Sequence, residues 1–170
     1  AAMLMGVALS GILAVFSIKY RVDQVIVGFA INFFALGLTS FLTSRVLTPY
    51  PQYNSLTPFR PYKVPLLSKI PVIGTILFTQ TLFVYVSFAV VAVTTWAMFR
   101  TRWGLRTRAI GEYPKAAGTL GVDVIKLRYR NVLIAGAVAG FGGAWWPEGT
   151  VGRFDQNITG GRGFIALAAV

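Results

Sequence analysis

The chain contains no cysteine and no histidine, and only five of its 170 residues are acidic. The absence of these side chains excludes disulfides, thiolate or imidazole metal ligands and acid–base catalysis by histidine. The five carboxylates are scattered over polar segments, so they form no evident metal or catalytic cluster. The sequence therefore predicts no catalytic residue, no metal site and no enzymatic activity in this chain.

Charge of either sign is scarce. Charged residues make up 12% of the chain and hydrophobic residues 55%, and the mean hydropathy is +0.66. A soluble domain carries about twice that charged fraction. The apolar residues are collected in long blocks, as helices that cross a lipid bilayer require. The composition predicts an all-α, polytopic transmembrane helix bundle.

The net charge of +11 is high enough for a nucleic-acid-binding protein. Its distribution argues against that class, because eight of the sixteen basic residues lie in the segment 100–130 and most of the others flank apolar blocks. Loops held on the cytoplasmic side of a membrane show this pattern. We therefore expect the lipid bilayer, and not nucleic acid, to be the surroundings of this chain.

The apolar blocks predict about four membrane spans and the start of a fifth. They cover residues 1–18, 24–47, 76–99 and 131–146, and then 164–170. No basic stretch precedes the first block and the last one is short. We therefore expect residues 1–170 to be a single transmembrane domain, a piece of a longer protein that is incomplete at both ends.

Loop charge predicts the orientation of these spans. The segment 100–130 has eight basic residues, whereas the segment 43–72 has four. The more basic loop belongs on the cytoplasmic side. The proline-rich, aromatic segment 48–72 is then expected to lie outside the cell, beyond the hydrocarbon, because proline lacks the N–H that a spanning helix needs.

A short helix is predicted inside the basic loop. Pro114 suits the first turn of a helix, and Gly121 can end that helix in a left-handed conformation. Asp123 can then cap the next helix, which enters the membrane. From the residues alone, two interpretations remain open: a solvated cytoplasmic loop, and a docking surface for another protein.

The composition of the short helix suits docking. Ala116 and Ala117 have small side chains, so the backbone of another protein can approach closely, and Glu112 and Lys115 can form ion pairs at the rim. The surrounding arginines would hold the loop at an anionic lipid surface.

Four sequence segments resemble a known family. Residues 109–124 read Ala-Ile-Gly-Glu-Tyr-Pro-Lys-Ala-Ala-Gly-Thr-Leu-Gly-Val-Asp-Val. They resemble the cytoplasmic loop of ABC importer permeases of the branched-chain amino acid, ribose and nucleoside group. Residues 28–41, 135–144 and 159–169 resemble, within that group, simple-sugar and nucleoside permeases that work with receptors of the basic-membrane-protein type. The segment 145–148, Trp-Trp-Pro-Glu, departs from the smaller residues expected there.

The resemblance implies a function and a set of partners. Such a permease pairs with a second permease subunit, docks two ATP-binding cassette subunits on its cytoplasmic loops and receives nucleosides or simple sugars from an extracytoplasmic receptor. ATP and Mg²⁺ bind the cassette subunits, so this chain would hold no cofactor. The location would be the plasma (inner) membrane of a bacterium or archaeon. Carried over by position, the residues that couple to the ATP-binding subunit would be Glu112, Pro114, Lys115, Ala116, Ala117 and Gly121.

An ion-coupled secondary transporter without an ATPase is the alternative interpretation. Proton-coupled carriers place ionisable groups within the membrane. No Asp, Glu, Lys or Arg lies well inside a predicted span, so the sequence offers no evident proton relay.

Two further groups of residues are candidates. Asn32 lies in the middle of a span, so its amide either bonds a neighbouring helix or faces the substrate pathway. Phe33 beside it can stack on a base or sugar, as can Phe29, Phe34 and Phe88, although the residues favour core or lipid-facing roles for all four. Small residues favour close helix packing in the fourth span, namely Gly136, Ala139, Gly140 and Gly143.

Overall fold

The computed structural model describes residues 1–54, 81–155 and 157–169. Within these ranges the chain is helical and contains no strand, which confirms the predicted all-α class. The α-helices are α1 (Ala2–Ala14), α2 (Gln24–Leu42), α3 (Leu82–Arg100), α4 (Arg102–Glu112), α5 (Pro114–Thr119), α6 (Val124–Trp145) and α7 (Arg162–Ala168). Wider π-helical turns extend three of them, at Val15–Lys19, Thr43–Leu47 and Trp146–Val151.

Three stretches of described helix are long and apolar enough to cross a membrane. They are Ala2–Lys19, Gln24–Leu47 and Leu82–Arg100. They correspond to the first three predicted spans, although residues 76–80 of the third lie outside the described residues. So does most of the predicted outer loop 48–72, of which the structure describes a single 3₁₀ turn at Pro51–Asn54.

The predicted fourth span, 131–146, is helical but falls short of the same criterion. It forms the later part of α6, whose first turns carry Lys126, Arg128 and Arg130. These cations belong in water or at the headgroups, so the apolar part of α6 is shorter than the roughly 20 residues that a span requires. Three helices of the described residues thus have the length and composition of a span, and the predicted fourth span lies in the later, apolar part of α6.

Most apolar side chains of these helices are exposed on the isolated chain. At most 6% of the residues in any of the three span windows are buried. A surface of this kind would drive aggregation in water, whereas lipid tails or another apolar subunit cover it in a membrane. The exposure pattern agrees with a multi-pass membrane protein.

The chain divides into two compact units. The first comprises Ala1–Pro58 and Tyr129–Val170, and so contains α1, α2, the later part of α6 and α7. The second comprises Phe59–Arg128, and so contains α3, α4, α5 and the start of α6.

In the first unit, α1 and α6 cross with their backbones in contact. Any side chain at Gly6 would collide with the carbonyl oxygen of Gly136 and would come within 2.9 Å of the Cα of Gly140. A Cβ at Gly140 would lie 2.5 Å from the carbonyl oxygen of Ala2. Because Ala2 meets Gly140 while Gly6 meets Gly136, the two helices run antiparallel. Small residues spaced four apart make this close approach possible.

The loop after α6 is hydrogen-bonded to the 3₁₀ turn that follows α2. The side-chain amide of Asn54 donates to the carbonyl oxygen of Phe154 at 2.9 Å and accepts from the Phe154 N–H at 2.7 Å. Further along, the guanidinium of Arg162 lies 4.3 Å from the ring centroid of Trp146. Residues separated widely in sequence thus hold this end of the first unit together.

Candidate coupling surface

The candidate coupling surface lies in the second unit and begins with α4, which the sequence analysis did not predict. Thr101 caps α4, since its hydroxyl oxygen accepts from the Gly104 N–H at 3.2 Å. The same hydroxyl donates to the carbonyl oxygen of Ala97 in α3 at 2.5 Å. One side chain therefore ends the membrane span and starts the next helix.

Gly104 allows α4 to pack against the end of α3. It is buried, and a Cβ in its place would lie 2.5 Å from the Cα of Met98 and would collide with neighbouring carbonyl oxygens. One helical turn and a half further on, Ile110 is buried at 6% exposure. The inner face of α4 is therefore fixed on the span, and α5 follows from a defined starting point.

α5 begins and ends where the sequence predicted. Tyr113 separates it from α4, and Pro114 is its first residue, where the missing N–H has no consequence. At the other end Gly121 has φ +80°. The Gly121 N–H bonds the Gly118 carbonyl oxygen at 3.0 Å, and the Val122 N–H bonds the Ala117 carbonyl oxygen at 3.2 Å. This pair of bonds is the Schellman motif, which requires a left-handed residue such as glycine.

The two alanines of α5 lie in different surroundings. Ala117 is 4% exposed, whereas Ala116 is exposed. Glu112 and Lys115 are exposed as well. Close approach by another protein is therefore available at Ala116 and not at Ala117.

Two large apolar side chains flank α5 and were missed in the sequence analysis. Tyr113 is 62% exposed and Leu120 is 83% exposed, one at each end of the helix. Large exposed apolar side chains beside a small-residue surface are typical of protein–protein contacts. The signal was present in the sequence, because both residues stand next to the positions chosen for helix start and stop.

Asp123 caps α6 as predicted. Its carboxylate accepts from the Lys126 N–H at 3.0 Å and lies 3.2 Å from the Lys126 ammonium nitrogen. These hydrogen bonds, first from the Lys126 backbone and then from its side chain, lower the pKa of Asp123. Both side chains are largely exposed, so the ion pair adds little stability and the cap is the main contribution.

The residues proposed for the substrate pathway do not converge on a site. Asn32 and Phe33 are exposed on α2, Phe33 at 69%. A cavity of about 910 Å³ in the first unit is lined instead by the neighbouring Gly28 and Ile31 together with α1 and α6. Of the other aromatic candidates, Phe29 stacks on Phe164 with ring centroids 6.4 Å apart.

The four candidate small residues of α6 all line that cavity, and two of them also form the crossing with α1. Gly136 is buried in the crossing with α1, and Gly140 lies half-buried beside it. Ala139 and Gly143 are exposed and line the cavity. The wall of the cavity is largely apolar, and Glu148 and Ser10 contribute polar groups to it. Among the described residues no cluster of acidic side chains could hold a metal ion.

Comparison with known proteins identifies the family to which the chain belongs. The model of a family described as the permease component of the branched-chain amino acid transport system matches residues 1–170. The nucleoside ABC transporter permease protein NupC of Lactococcus lactis subsp. cremoris is 40% identical over 98% of this chain and 53% of its own length. The guanosine ABC transporter permease protein NupQ of Bacillus subtilis is 38% identical over 100% of this chain and 54% of its own.

A more distant relative comes from an archaeon. The putative glucose ABC transporter permease protein TsgC13 of Haloferax volcanii is 32% identical over 97% of this chain and 50% of its own length. The chain thus spans about half the length of the curated relatives it matches. No solved structure matches it significantly. The match to the family model over the whole chain shows that this protein belongs to the family of permease components of branched-chain amino acid transport systems.

Proposed function

We propose that this chain is the membrane-spanning part of a permease subunit in an ATP-driven importer, and that the cargo is a nucleoside. The family match over 1–170 supports the permease role. The choice of cargo rests on two relatives, at 40% and 38% identity, whose names specify nucleosides and guanosine. The relative named for glucose is less similar, at 32%. A simple sugar is therefore the second choice.

The observation that carries the proposal is the geometry of α5. It is a six-residue helix held between Tyr113 and the left-handed Gly121, and it exposes Lys115 and Ala116. A docked ATP-binding cassette subunit would contact this surface, with Tyr113 and Leu120 as apolar anchors at its two ends.

A movement of α5 would be transmitted to α6 through a short connection. α6 starts at Val124, just after the Asp123 cap, so α5 and α6 are separated by a turn of four residues. When two cassette subunits bind ATP with Mg²⁺ and close, a docked α5 would be displaced and would tilt α6. A second permease subunit would complete the pathway, and an extracytoplasmic receptor would deliver the cargo.

The ion-coupled alternative receives no support. The family consists of permease components, and the relatives are named as ABC transporter permeases. In this scheme ATP hydrolysis belongs to the separate cassette subunits, and this chain contributes the surface that they move.

Substitution of Ala116 tests the proposal. We expect Ala116→Glu to reduce ATP-dependent nucleoside uptake at least about tenfold, because a charged side chain would separate the docked surfaces. Membrane insertion should be normal, because Ala116 is exposed on the chain. The measurement is ATP-dependent uptake of labelled guanosine into proteoliposomes that contain the full-length permease pair with its cassette subunits and are supplied with the receptor.

Ala116→Ser is the matched control, because serine is nearly as small as alanine, and it should keep transport. Co-purification of the cassette subunits should be lost with the glutamate variant and kept with the serine variant. Normal uptake by Ala116→Glu would contradict docking at α5. Uptake of glucose in preference to guanosine would contradict the cargo but not the docking.

A further inference from the structure

Four arginines are concentrated where α3 ends and along α4. They are Arg100, Arg102, Arg106 and Arg108, and no acidic residue occurs between Arg100 and Glu112. All four are exposed. No other nine-residue stretch of the chain contains four basic residues, and neither the docking role of α5 nor the cap at Asp123 accounts for this cluster.

The packing of α4 turns these arginines outwards. Gly104 and Ile110 are buried against the neighbouring structure, and Thr107 between them is half-buried. Arg102, Arg106 and Arg108 therefore lie on the remaining surface of the helix. Leu105, which is 62% exposed, lies on the same surface. A helix surface that combines arginine with an exposed leucine is typical of helices that lie in the membrane interface.

The contact made by Arg108 indicates where this surface lies relative to the lipid. The guanidinium of Arg108 lies 4.8 Å from the ring centroid of Phe99, the penultimate residue of α3. Phe99 is 65% exposed, and no residue in the apolar window of α3 is buried. The side chain of Arg108 thus folds back onto the side of a span that lipid can cover, at the level where that span ends.

We propose that α4 is a binding site for anionic phospholipid headgroups, formed by Arg102, Arg106 and Arg108 at the end of α3. The phosphates would pair with the guanidinium groups, and Leu105 would enter the boundary of the acyl chains. Clusters of four or more basic residues directly after a span attract anionic lipid in this way. Bound lipid holds α4 at the membrane surface and thereby fixes the starting point of α5.

The positive charge of α4 and its position directly after α3 favour lipid over a protein as the partner of its arginines. α4 begins two residues after α3 ends, so its arginines stay within reach of the headgroups whatever else docks nearby. The exposed anchors suited to a protein, Tyr113 and Leu120, flank α5 instead. The site depends on neither the cargo nor ATP.

The test uses the full-length permease with Trp96 as its only tryptophan, reconstituted in vesicles. Trp96 is 62% exposed and lies one helical turn before Arg100. Either phosphatidylglycerol or phosphatidylcholine carries brominated acyl chains, which quench tryptophan fluorescence on contact. At equal mole fraction, brominated phosphatidylglycerol should quench Trp96 more strongly.

The triple variant Arg102→Gln, Arg106→Gln, Arg108→Gln should abolish that preference, with about a fivefold loss of relative affinity for each arginine. Arg153→Gln removes an exposed arginine from the loop after α6 and should leave the preference intact. Equal quenching by both lipids in the parent protein would overturn the proposal. So would a triple variant that keeps the lipid preference but loses the cassette subunits, because the arginines would then serve protein docking.

Discussion

Because Gly6, Gly136 and Gly140 carry no side chain, α1 and α6 can approach each other until their backbones touch. Where α1 crosses α6, backbone atoms of these residues are in direct contact, and the Ser10 side chain fills the remaining space beside Gly136. Small–small contacts of this kind associate membrane helices by van der Waals packing rather than by the hydrophobic effect.

We predict that Gly136→Ala weakens the crossing by about 1–3 kcal/mol, as expected for overpacking. The new Cβ would lie 2.6 Å from the carbonyl oxygen of Gly6 and would collide with Ser10. The measurement is denaturation of the purified permease in mixed micelles. Gly142→Ala is the matched control on the same helix, because a Cβ there meets nothing within 4 Å. Equal stability of the two variants would show that α1 and α6 do not cross here.

The residues that the sequence analysis identified correctly act locally. Pro114, Gly121 and Asp123 start or end helices through their own geometry or through bonds to residues a few positions away, so neighbouring sequence is sufficient to recognise them. The burial of Ala117 depends on tertiary packing, which the sequence of α5 alone does not reveal. The small-residue stripe Ala2-xxx-Gly6-xxx-Ser10 was visible, but a stripe on one helix does not reveal its partner.

Among the helices, α4 was the one that sequence reasoning missed. Its apolar side is narrow and includes Gly104, a residue that disfavours helix in isolation. Contact with α3 supplies the stability that propensity lacks, as is usual for short helices. The start of α6 in basic residues, by contrast, was predicted, and the apolar part that follows is shorter than the other three spans.

The position of α4 should control docking at a distance. We predict that Gly104→Ala reduces co-purification of the cassette subunits, although Gly104 is buried and cannot touch them. Its Cβ would collide with backbone atoms of Met98 and push α4, and with it α5, away from its position.

Gly111→Ala, on the same helix, serves as the control for this prediction, since a Cβ at Gly111 meets nothing within 4 Å. It should retain the cassette subunits. Full retention by Gly104→Ala as well would indicate that the packing of α4 on α3 does not determine where α5 is presented.

For the protein as a whole, contacts and loop charge agree on which loops share a side of the membrane. The Asn54–Phe154 bonds place the turn after α2 and the loop after α6 together. Loop charge assigns both to the outside and the segment 100–130 to the cytoplasm. The orientation thus rests on the positive-inside rule, and the hydrogen bonds are consistent with it.

Accessibility labelling checks this orientation. In a cysteine-free background, we expect Lys115→Cys to react with an impermeant maleimide only after the cells are opened. Asn157→Cys, exposed in the loop after α6, should react in intact cells. Both positions are exposed on the chain, so accessibility reports sidedness. Labelling of Lys115→Cys from outside would contradict the coupling role of α5.

The bare contact between α1 and α6 has a mechanical consequence. No long side chains interlock at Gly6 and Gly136, so the helices can pivot there without any rotamer having to change. The 910 Å³ cavity is bounded by both helices along their length. A small rotation of α1 relative to α6 about this contact would widen the cavity at one end and narrow it at the other.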